Sequence, residues 1–128
     1  RKAFILLYKK YIPLKLIFNS SSMGEIIKAV CSCGYQSKEL KFGAGMEDFK
    51  YSRTVPAISM MTAEIVELDI LSKSPNSQLV PYTDPRLHDQ SCTCTPLQAW
   101  ETLLPTEGNY CPGCHQFSLG FESLGLYD

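Results

Sequence analysis

The stretch NYCPGCHQFSLGF, residues 109–121, decides how this chain is read. Cys111 and Cys114 flank Pro112 and Gly113, residues that turn the backbone tightly. Beyond the turn, Phe117, Leu119 and Phe121 recur at every second position, which predicts a strand over 116–121. Two thiols on a turn that feeds a strand supply two corners of a tetrahedral metal site. Gly or Pro in such a turn lets backbone amides point at the sulfurs and stabilise their negative charge. The stretch CSCG at 31–34 repeats the arrangement with one residue fewer between its thiols. It follows EIIKAV at 25–30, an apolar-rich segment read as a strand, and precedes a predicted return strand over 35–42.

The six cysteines fall as three pairs: Cys31/Cys33, Cys92/Cys94 and Cys111/Cys114. A four-cysteine zinc site, a redox pair and a disulfide framework all produce such pairing. Chain proximity favours Cys92/Cys94 as partners of Cys111/Cys114, because 16 residues (95–110) separate them. Local chemistry favours Cys31/Cys33, since CGYQS at 33–37 and CHQFS at 114–118 are alike, whereas Cys94 runs into Thr95-Pro96. We assign Cys31, Cys33, Cys111 and Cys114 to one structural Zn2+, with Cys92 and Cys94 as the alternative pair. Four thiolates fill the tetrahedron and leave no water to activate, so no catalytic residue is assigned and an enzyme is not expected. The redox reading, a thiol-disulfide protein using CxC or CxxC pairs, lacks the helix N-terminus that activates such thiols. A secreted disulfide scaffold lacks an export signal in good form.

The remaining chain is predicted as mainly β, with one or two short helices. Residues 54–71 are rich in β-branched side chains, and 64–70 nearly alternate as a half-exposed strand. Its acids Glu64, Glu67 and Asp69 read as the wet face of that strand rather than as catalytic carboxylates. Residues 78–82 are a partner strand after the turn-forming SKSPNS at 72–77. Residues 46–53 are read as one helical turn or a loop, and 96–104 as a short helix with Pro96 first and Thr95 as cap. Gly43-Ala44-Gly45 is a breaker and not a phosphate loop, since no third glycine or long helix follows. His88 lies near Cys92 and Cys94, where a solvated loop is a simpler reading than an incomplete second metal site. Trp100 with Leu97, Leu103 and Leu104 reads as core.

The 128 residues, 45% hydrophobic and 20% charged, suffice for one domain with a core. No apolar run reaches the roughly 18 residues of a membrane-spanning helix. Residues 1–22 carry five Lys/Arg and no acid; the other 106 carry seven basic and thirteen acidic residues, hence −6. The first segment is expected to be non-native, over-extended or peripheral, with the domain spanning 23–128 from Met23. An acidic body has no evident footprint for phosphate backbones, so a nucleic-acid-binding role is an alternative that charge disfavours.

MGEIIKAVCSCGY at 23–35 and NYCPGCHQFSLGFESLGLYD at 109–128 resemble the two ends of small microbial zinc-ribbon proteins. Such proteins open with a strand and a CxCG knuckle and close with a CPxCG knuckle, a strand and an aromatic-Asp tail. The resemblance implies a zinc-ribbon fold, one structural Zn2+ and no particular activity. It also implies that 55–87 is an inserted, degenerate second ribbon, a hairpin whose cysteine pairs are replaced near residues 59–62 and 74–77. His115 stands where that pattern has Gly. The expected role is a cytoplasmic structural module that engages a protein partner.

Overall fold

Gly24–Cys31 (β1) alternates in burial although its sequence is apolar on both faces: Ile27 and Ala29 are fully buried, while Ile26, Lys28 and Val30 on the other face are half-buried. In the computed structural model, which describes residues 24–45, 49–72 and 78–127, seven further strands follow. They are Leu40–Phe42 (β2), Thr54–Ser59 (β3), Ile65–Asp69 (β4), Leu79–Pro81 (β5), Leu97–Ala99 (β6), Thr102–Leu104 (β7) and Leu119–Tyr127 (β8). All pairings are antiparallel, in three small sheets ordered β2-β1-β8, β4-β3-β5 and β6-β7.

The first sheet joins the first and last strands among the described residues. β1 runs beside β8 from Gly24↔Tyr127 to Cys31↔Leu119, with a bulge between Ile26 and Ile27. The second sheet follows from the β-branched stretch, and the later strand β5 pairs with β3 rather than with β4. A Gly43↔Thr54 bridge and the Lys41 N–H donating to Glu67 Oε2 (2.9 Å) tie the two sheets together. One core runs through all three, with Ile27, Leu40, Phe42, Val55, Tyr82, Leu104 and Leu119 among its fully buried members.

The predicted short helices are corrected: among the described residues there is no α-helix, only a single 3₁₀ turn at Pro85–Leu87 capped by Asp84. Residues 96–104 form the β6–β7 hairpin instead. Trp100 makes the reversal at φ 57°, its indole N–H donates to Ala44 O (2.8 Å), and its ring stacks on Phe49 at 4.2 Å. These tertiary contacts outweigh the weak helical pattern of a nine-residue segment that begins with proline. Of the 46–53 prediction, 46–48 lie outside the described residues and 49–51 are a turn. The return strand shrinks to Leu40–Phe42 because Ser37 intervenes: its buried Oγ accepts from Ala29 N and donates to Lys38 O. The 1–22 segment, Met23 and residues 74–77 lie outside the described residues.

Candidate metal centre

Two backbone turns build the site. β1 delivers Cys31 to its end, and Gly34 N–H donates to Cys31 O (2.9 Å) while Cys31 N–H donates to Tyr35 O (3.0 Å). Gly34 completes this turn at φ 102°, a conformation that favours glycine. In the second turn His115 N–H donates to Cys111 O (2.8 Å) and Cys111 N–H donates to Gln116 O (2.8 Å). The extra residue of CxxC over CxC is absorbed there by a loop one residue longer. His115 has φ 65°, in the left-handed region that favours glycine. Histidine is among the residues enriched there after glycine. Its ring lies parallel to Tyr110 at 6.2 Å, exposed and away from any ligand role.

The antiparallel β1–β8 ladder brings the turns face to face. Cys31 Sγ lies 3.8 Å from Cys114 Sγ, and Cys33 Sγ lies 3.7 Å from Cys111 Sγ. All four sulfurs fall within 4.8 Å of one another, close enough to bind one metal ion. A disulfide would need about 2.05 Å, and all four thiols are free. Cys92 and Cys94 do not join them; this cluster is the only group of its kind among the described residues. Burial is graded across the site: Cys111 is 0% exposed and part of the core, Cys31 and Cys114 are half-buried, and Cys33 is exposed.

The surroundings favour thiolate at some sulfurs and oppose it at others. The Cys33 backbone N–H and the Ser118 hydroxyl draw Cys31 down to about 6. The Ser118 hydroxyl and the Gln116 N–H lower Cys114. Burial pushes Cys111 up to about 12, against the Cys114 and Gly113 amides. A cation between the sulfurs removes this conflict, because it stabilises every thiolate at once.

Ser118 carries no mark in the sequence that sets it apart. Its Oγ sits 3.1 Å from Cys31 Sγ and 3.5 Å from Cys114 Sγ, so one hydroxyl serves both turns. The only hint is the likeness of 114–118 to 33–37, and that likeness misleads: Ser37 bonds Ala29 instead. Replacing Ser118 by Ala is expected to weaken metal binding roughly 10–100-fold with the fold retained, as such outer partners do. Competition against a chromophoric zinc chelator measures it, and an unchanged affinity would refute the role. Asn109, fully buried, is a second residue that sequence reasoning misses. It fixes the entry to the CxxC turn through Nδ2 donating to Pro105 O (2.9 Å) and to Leu119 O (3.3 Å).

The other candidates have structural partners. Glu67 accepts from Lys41 N, Asp69 Oδ1 accepts from Arg53 N (3.1 Å) and Leu71 N (3.0 Å), and Glu64 is exposed. Residues 115–118 are irregular, with a bend at 116–117, and β8 begins at Leu119, so Cys114 leads by a short irregular stretch into a strand. No helix among the described residues is long and apolar enough to cross a membrane. No protein-family model, no curated protein and no solved structure matches this chain, so what stands is a mainly β domain with four cysteines poised to bind one metal ion.

Proposed function

We propose that Cys31, Cys33, Cys111 and Cys114 hold one structural Zn2+ and that the chain is a zinc-ribbon-like interaction or scaffold module. One observation carries the reading: the sulfur separations of 3.7 and 3.8 Å. A tetrahedron of thiolates at about 2.3 Å from zinc has edges of about 3.8 Å. Two knuckles facing each other across a three-stranded antiparallel sheet support the ribbon reading. Four thiolates leave zinc no open position, which favours a structural over a catalytic role. Cys114 leads into β8 rather than into a helix, so no helix N-terminus activates the CxxC thiols, which counts against thiol-disulfide exchange at Cys111/Cys114. Zinc thiolates persist where thiols stay reduced, which favours a cytoplasmic setting. The exposed Met60, Met61 and Tyr51 offer apolar contact to a protein partner.

Elemental analysis of protein purified under reducing conditions tests the site. About one zinc per chain is expected, as for any four-thiolate structural site. A protein that holds no zinc, or that holds it equally in a Cys33→Ser/Cys114→Ser variant, would sink the assignment.

A further inference from the structure

Cys92 and Cys94 stand outside the four-thiol cluster as free, half-buried thiols on an irregular stretch, 92–96, that has no strand. Both line one groove of about 480 Å³, and His88 lines it with them. His88 Nδ1 is buried and has no hydrogen-bond partner. Buried polar atoms nearly always have one, and an imidazole nitrogen in its neutral, unprotonated form is a common metal donor. Gly108 explains why sulfur and imidazole come close. At φ +74° it has no side chain where a Cβ would lie 3.0 Å from Cys92 Sγ and 3.4 Å from His88 Cε1. Both groups therefore border the same small space.

Charge around the pair favours a cation. Asp89 and Glu107 line the adjoining groove together with Cys92. Burial, the neighbouring Cys94 and these two acids all push the Cys92 thiol up, and a bound cation offsets each of these effects. Asp89 is already engaged, its Oδ1 accepting from Ser91 N (3.0 Å) and Ser91 Oγ (2.8 Å). Two sulfurs and one imidazole nitrogen are thus the donors at hand. Zinc wants a fourth, whereas soft thiolate donors in low number suit a monovalent d¹⁰ ion.

We propose that His88, Cys92 and Cys94 form a second metal site, separate from the four-thiol centre, that binds Cu(I). Without the ion these three donors stand further apart than the four clustered sulfurs, which all lie within 4.8 Å of one another. Closure draws the donors together from an irregular stretch that belongs to no sheet, and Cys94 Sγ gives up its long contact to Glu107 O (3.9 Å). Binding exchanges two thiol protons for the ion and involves no change of oxidation state.

The test uses the full chain, reduced, anaerobic and loaded with one equivalent of Zn2+, titrated with Cu(I) held by a chromophoric Cu(I) chelator. One Cu(I) per chain is expected to leave the chelator without release of zinc to a zinc dye. The Cys92→Ser/Cys94→Ser double variant loses this uptake. His88→Ala weakens it by at least the roughly tenfold that even outer-shell changes cost. Copper-edge X-ray absorption on the unaltered chain is expected to show two sulfurs and one nitrogen. Thermal melts matching the unaltered chain establish that the variants are folded. Uptake that is unchanged in the double variant, that occurs only as zinc is expelled, or that fails to compete with the chelator overturns the proposal.

Discussion

Stripping the metal from the reduced protein is expected to abolish its cooperative thermal transition, and restoring zinc is expected to bring it back. The size of the effect follows from where the sulfurs sit. Cys31 ends β1, Cys111 lies at 0% exposure inside the core, and both belong to the region where the first strand, β1, pairs with the last, β8. Five of the eight strands are five residues or shorter, and four of those have three residues, so each small sheet is a marginal unit by itself. Structural zinc contributes about 10–16 kcal/mol in small metal-dependent folds, as much as the whole stability of a typical domain. Without the ion, four thiols within 4.8 Å must share a site that holds one of them up near 12 and another down near 6. Cys111→Ser is expected to mimic chelation, with bound zinc falling to none and the transition lost. Far-ultraviolet circular dichroism melts with a strong chelator, then with zinc restored, read this directly. A melt indifferent to the chelator would remove the metal from any account of stability.

The parts of the molecule legible in sequence are those in which local chemistry and tertiary structure agree. The CxC and CPGC turns, each with Gly or Pro and a flanking strand, announce where the thiols stand. The apolar-rich 25–30 and the nearly alternating 64–70 correspond to β1 and β4. The 96–104 segment misleads because its hairpin depends on Trp100 reaching Ala44 and Phe49, contacts that no local pattern encodes. Ser118 and Asn109 stay hidden for a related reason. Serine and asparagine are ordinary turn residues, and only the β1–β8 ladder sets one between two sulfurs and buries the other. His115 shows the reverse case: a departure from the ribbon pattern that the backbone angle makes intelligible.

Tyr82→Ala is expected to be the most damaging substitution outside the thiols, and to reach the metal centre although Tyr82 is not one of its proposed ligands. Tyr82 follows β5, is the largest of the fully buried side chains, and packs edge-on against Phe121 of β8 at 5.2 Å. Its hydroxyl donates to Tyr110 O at 2.6 Å, the carbonyl immediately before Cys111. One residue thus fastens the middle sheet to the CxxC turn. Truncation of a large buried aromatic costs about 3–5 kcal/mol, and leaving a carbonyl unpaired adds about 1–3 kcal/mol. For a domain of this size the melting point falls by about 12 °C or more. Tyr82→Phe keeps the packing and removes only the hydroxyl, so it is expected to cost about 1 kcal/mol. The pair separates two roles. If Tyr82→Phe weakens zinc binding while barely moving the melt, the hydroxyl positions the CxxC turn. If both variants lower stability and leave zinc affinity unchanged in the folded protein, Tyr82 is core alone and the middle sheet does not brace the metal turn.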